Sequence, residues 1–132
     1  MKKLIEWFRP MAKYFLVIWV VLIVFFSSLP NTPKLKIDIP SFEIRIDYLL
    51  HFFEYFILAF LAMVTFNTVS GPGRPGRIAV IIIMLALFAL ADETHQLLIP
   101  GRSFNLTDLL SNFAGLAAGS FFTISISPQS SD

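Results

Sequence analysis

The sequence contains no cysteine, so disulfides and thiolate metal sites are both excluded. Charge is scarce as well. Only 14% of the residues are charged and the net charge is +1, which argues against an electrostatic footprint for nucleic acid. There is no internal repeat, no low-complexity tract, no HExxH pair and no nucleophile motif. What the chain has in excess is apolar surface. It is 56% hydrophobic over 132 residues, with a mean hydropathy of +0.74. A soluble domain of this length buries only part of what it exposes and could not hide that share, whereas a bilayer takes it up.

Four apolar blocks carry the excess, at about 11–29, 48–69, 78–99 and 106–126. Each approaches the roughly 20 residues needed to cross the hydrocarbon core. Runs of that length in lipid are helical, because every backbone amide needs a partner within its own segment. The breaks are Pro30, Pro33 and Pro40 in the first loop, Ser70 to Gly76 in the second, Pro100-Gly101 in the third, and Pro128 after the last block. Residues 37–46 partly alternate apolar and polar, which reads as a short extended or interfacial segment. The fold class expected is all-α: one domain over 1–132, an integral membrane bundle of four transmembrane helices. The basic start followed by an apolar block also resembles a signal peptide. However, the block is long for one, and Phe26-Ser-Ser-Leu29 is a poor cleavage site.

Lys2, Lys3, Arg9, Lys13, Arg74 and Arg77 fall on one side of such a bundle, and Lys34, Lys36, Arg45 and Arg102 on the other. The larger set marks the cytoplasmic side, which places both termini in the cytoplasm. Threaded this way, the outer end of helix two carries Asp47, His51, Glu54 and Tyr55. The outer end of helix three carries Asp92, Glu93, His95 and Gln96, that of helix four carries Asp108 and Asn112, and Arg102 lies in the loop between. Residues far apart in sequence thus share one depth near the extracytoplasmic face. At about 100° per residue, Asp47, His51 and Glu54 span about 60° of their helix, as do Asp108, Asn112, Gly115 and Gly119 of theirs. Polar faces this narrow are expected to point inward, since charge facing lipid is costly.

Each of these residues also has a plainer reading. Asp47 and Asp108 suit helix starts, where a carboxylate meets unpaired amides. Arg102 suits an interfacial position or a carboxylate partner. Asn112 and Gln96 suit interhelical hydrogen bonding, and the histidines suit polar packing. Glu54 is the least comfortable, and His51, His95 and Arg102 are its candidate partners. Gly115 and Gly119 form a small-residue face suited to another helix, including that of a second copy.

Four fragments, in order and spacing, resemble the VanZ-like family: Asp47-Tyr-Leu-Leu-His51-Phe-Phe-Glu-Tyr55, Asp92-Glu93-Thr-His-Gln96, Pro100-Gly101-Arg102, and Asp108-x-x-x-Asn112-x-x-Gly115. The likeness covers about 47–119. It implies a four-helix protein of the bacterial cytoplasmic membrane and a link to resistance against the glycopeptide teicoplanin. Carry-over covers Asp47, His51, Tyr55, Asp92, Glu93, Gln96, Arg102, Asp108 and Asn112. Glu54 and His95 are less typical of the pattern. Where the family often has lysine after the first aspartate, Tyr48 stands here, which removes a cation.

Three functions compete. In the first, an outward-facing polar pocket binds or modulates a lipid-linked cell-envelope precursor or a phospholipid headgroup, with Arg102 and His51 meeting a phosphate or carboxylate. In the second, the protein is an intramembrane enzyme using the histidines and carboxylates for acid–base or metal-assisted chemistry on such a headgroup. Arg102 nearby disfavours a bound cation, so neither metal nor cofactor is expected. The third, ion movement, lacks a polar path through 78–91 or 116–126.

Overall fold

A computed structural model describes residues 2–30, 36–39, 42–66 and 74–126. Among these, four helices are long and apolar enough to cross a bilayer. They are α1 (Lys2–Ser27), α2 (Ile46–Thr65), α3 (Arg74–His95) and α4 (Leu106–Ile126), and one turn of 3₁₀ helix, Gln96–Leu98, follows α3. The all-α expectation is met, and the protein is a multi-pass membrane protein.

Helix ends differ from the apolar blocks in ways the residues explain. α1 begins at Lys2 rather than near Met11. Its charged first turns alternate with rings that pack along the helix, and Phe8 stacks on Phe15 at 5.6 Å. α3 begins at Arg74, with Pro75 in the first turn, where a missing N–H breaks no bond. α2 stops at Thr65. Residues 67–69 of the expected second span, the break from Ser70 to Gly73, and Pro128 lie outside the described residues. Lys36–Ile39 (β1) and Phe42–Arg45 (β2) pair antiparallel, with Lys36 opposite Arg45. This small hairpin leads directly into α2 and accounts for the alternation in that loop.

The tightest packing in the bundle joins α2 to α4. These helices run parallel, because Gly115 lies on the carbonyl of Phe52 and Gly119, one turn on, lies on that of Phe56. A Cβ at either glycine would collide with main chain, so only glycine allows this approach. Beyond the glycines, Phe122 packs against Phe56 at 5.7 Å and Phe60 at 6.2 Å. Ile23, Leu58, Ala59, Ala89, Leu109 and Leu116 fill the centre. α1 and α3 turn apolar side chains outward, including Val17 at 63% and Ile83 at 58% exposure. In water such faces would drive association; in a bilayer they meet lipid.

Candidate functional site

The polar residues gather at one end of the bundle, formed by the finish of α1, the start of α2, the finish of α3 and the start of α4. Asp92 is buried there. Its Oδ2 accepts one hydrogen bond from Ser27 Oγ of α1 at 2.9 Å and another from Tyr55 OH of α2 at 3.1 Å. One carboxylate oxygen thus ties three helices together.

A second chain of bonds shapes the loop into α4. Ile99-Pro100-Gly101-Arg102 forms a tight turn in which the Arg102 N–H donates to the Ile99 carbonyl at 3.1 Å. Gly101 has φ 80°, the left-handed conformation that a type II turn requires after proline. This turn sends the Arg102 side chain back over the end of α1. There Nε donates to the carbonyl of Leu29 at 3.2 Å and Nη2 to that of Phe26 at 2.9 Å. Carbonyls at a helix C-terminus lack intrahelical partners and carry partial negative charge, so a guanidinium suits them. Nη1 donates to Gln96 Oε1 at 3.4 Å, and Gln96 Nε2 in turn donates to Glu93 Oε2 at 3.3 Å. Glu93 Oε1 accepts the main-chain N–H of Asn105 at 2.7 Å.

Asn105 caps α4: its Oδ1 accepts the Thr107 N–H at 3.0 Å and its carbonyl the Leu109 N–H at 3.1 Å. The cap residue is therefore Asn105 and not Asp108, which lies in the first turn. In a capping box, an acid three residues into the helix reaches back to the cap N–H. Here Glu93, from another helix, fills that role. Asp108 is left to face His51, whose Nε2 stands 3.8 Å from Asp108 Oδ2.

The remaining candidates make a different picture. Among the described residues, His51 Nδ1, Asp108 Oδ1 and both amide atoms of Asn112 are buried without a hydrogen-bond partner. Glu54 pairs with none of its expected partners. His51 turns to Asp108, while Arg102 and Asp92 lie only within electrostatic range of Glu54. His95 is half-buried at the end of α3, in electrostatic range of Asp92. No three acids, histidines or cysteines among the described residues come together in a group that could hold a metal ion.

A cavity of about 600 Å³ adjoins the unpaired set. Its polar wall includes Asp47, His51, Glu54, Gln96, Arg102 and Asp108; its apolar wall includes Trp19, Leu22, Phe26, Leu50, Phe53 and Ile57. Trp19 is held in that wall by its indole N–H, which donates to the main-chain carbonyl of Glu54 at 2.9 Å. Tyr55, Asp92, Glu93 and Asn112 sit behind the lining or along the adjoining interfaces. Phe26, Leu50 and Phe53 are each more than half exposed, so the rim facing the membrane is apolar.

The chain matches the family model described as VanZ/LLP1 over residues 12–127. The chain belongs to the VanZ/LLP1 family. No curated protein matches it, and no solved structure does. The match thus takes in α1 from residue 12 onward, beyond the fragments at 47–119 that carry the sequence likeness. In this VanZ/LLP1 protein, α1 contributes Trp19, Phe26 and Ser27 to the polar end. None of these three is singled out by the sequence fragments, nor is Asn105.

The sequence does hold a signal for Asn105, since an asparagine directly before an apolar helical run is a start signal. Ser27 and Trp19 have no comparable signal, because their roles depend on which helix faces α1. Gly115 and Gly119 are buried against α2 of the same chain. Association of copies through that face would compete with this packing.

Proposed function

We propose that this protein holds the headgroup of a lipid or lipid-linked cell-envelope component at the outer end of its bundle, in the bacterial cytoplasmic membrane. The observation that carries the reading is the two-faced cavity of about 600 Å³. Its volume suits a small polar head. Its apolar rim of Phe26, Leu50 and Phe53 gives access from the lipid phase, and its inner wall presents His51, Glu54, Asp108 and Arg102. Charge asymmetry supports placing this end outside. The family supports a consequence for teicoplanin susceptibility, through altered exposure of a precursor.

Arg102 is a poor residue for testing the reading by deletion, because it also closes the end of α1. Leu22→Trp, which fills the apolar wall, is the better variant. Native mass spectrometry is expected to find lipid retained by the wild-type protein and lost from Leu22→Trp, with teicoplanin susceptibility rising in cells at equal expression. Wild-type protein that retains no lipid, together with unchanged susceptibility, would end this reading.

A second reading is intramembrane acid–base chemistry on the same head. It is favoured by the His51–Asp108 pair at 3.8 Å on the cavity wall, since a carboxylate beside an imidazole suits proton transfer. Its test is turnover of a radiolabelled lipid precursor by purified protein, abolished by His51→Ala.

A further inference from the structure

The described inner wall of the cavity leaves acidic groups without hydrogen-bond donors. Among the described residues of that wall are the carboxylates of Glu54 and Asp108 and the imidazole of His51. Arg102 is expected from sequence to repel a bound cation, yet its hydrogen bonds go to main-chain carbonyls and Gln96, and none goes to Glu54 or Asp108. Of the five N–H donors of a guanidinium, three go to Leu29, Gln96 and Phe26.

Donors therefore do not reach the acids of the inner wall. No described side chain donates to the Glu54 carboxylate, and Asp108 Oδ1 and His51 Nδ1 are buried without partners. One turn along α4 from Asp108, Asn112 is fully buried with both amide atoms unpaired. Within a membrane span, unpaired acceptors and excess negative charge are costly until a donor reaches them.

We propose that the cavity takes an amphiphile whose head carries a primary ammonium group. This rests on the reading of the cavity as a headgroup site and names the chemistry of that head. The ammonium sits among Glu54, Asp108 and His51, and the acyl chains leave past Phe26 and Phe53 into lipid. A primary ammonium brings a compact charge and three donors to a wall short of both. An anionic head without an amine would press like charge against Glu54 and Asp108. A zwitterionic head uses both sides of the site, its phosphate meeting the two N–H groups that remain on Arg102.

Trp19 lines the cavity and reports on it. The probe is full-length protein carrying Trp7→Phe, so that Trp19 is the sole tryptophan, in phosphatidylcholine nanodiscs. Small amounts of lipid with brominated acyl chains, which quench tryptophan, are added as either phosphatidylethanolamine or phosphatidylglycerol. Phosphatidylethanolamine is expected to quench at about tenfold lower mole fraction, equivalent to about 1.4 kcal/mol. Glu54→Gln and Asp108→Asn, checked for native helicity by circular dichroism, are expected to narrow that gap to about twofold.

Phosphatidylglycerol quenching as well as or better than phosphatidylethanolamine in the wild-type protein overturns the ammonium assignment and leaves the headgroup reading standing. A preference that survives in both variants also overturns it. Quenching by neither lipid above the level of a bulk bilayer also overturns the ammonium assignment, and it narrows the headgroup reading to lipid-linked precursors.

Discussion

Glu93, near the end of α3, accepts the main-chain N–H of Asn105, the residue that starts α4, at 2.7 Å. The bond lets one buried carboxylate set where the last helix begins. Through Gln96 the same carboxylate also steadies Arg102, which closes the end of α1.

Glu93→Ala removes the acceptor for both Asn105 N–H and Gln96 Nε2. Bonds to a charged group contribute about 1.5–3 kcal/mol each, and a buried donor left unpaired adds its own penalty. The expected loss is about 3 kcal/mol, read as a lowered thermal midpoint in detergent. Glu93→Gln keeps an acceptor and is expected to lose less than half as much.

Asp92 offers a coupling test. Ser27→Ala and Tyr55→Phe each take one donor from Asp92 Oδ2, at about 1.5–3 kcal/mol apiece. Because they share an acceptor, their effects should not add, and the double variant is expected to depart from the sum by about 0.5 kcal/mol or more. Strict additivity in a double-mutant cycle would show that Asp92 does not hold both hydroxyls at once.

The contact of α2 with α4 predicts size intolerance. Gly119→Val would drive a side chain into the main chain at Phe56 and the Cβ of Ala59. Overpacking of this kind costs about 1–3 kcal/mol, measured as faster unfolding in denaturing detergent. Gly76, with open space around its Cβ position, is the control at which alanine should be tolerated.

Gly101→Ala is a test of local geometry. With φ 80°, an alanine there costs about 1–2 kcal/mol. It should also shift Arg102 off the carbonyls of Phe26 and Leu29, seen as faster amide exchange at the end of α1.

Asp108→Asn separates structure from binding. Asp108 pairs weakly with His51, and its Oδ1 has no described partner. Neutralising it should leave stability unchanged or raised by about 1 kcal/mol, read from the thermal midpoint, while retained lipid falls. A large destabilisation with lipid still held would identify Asp108 as part of the scaffold.

The four spans and their shared polar end were legible in the sequence, because apolar runs of bilayer length leave no other arrangement and alternate threading follows from their number. The division within the polar end was not. Asp92, Glu93 and Asp108 look alike as intramembrane acids, yet two are built into hydrogen-bond networks and the third pairs only with His51. That difference depends on how α1 is rotated to bring Ser27 to Asp92, and on a turn that carries Arg102 back across 76 residues of sequence to Phe26. Helical periodicity assigns a residue to a face of its own helix. It does not say which neighbour that face meets.

The parallel contact between α2 and α4 has a consequence for how the protein is made. Synthesis runs from the amino end, so α2 enters the membrane well before the ribosome has reached Gly115 and Gly119. Until α4 follows, His51 and Glu54 have neither Asp108 nor the packed face of that helix beside them. Chains halted before Leu106 should therefore hold α2 poorly in the bilayer and be cleared by quality-control proteolysis, whereas chains extended through Ile126 persist.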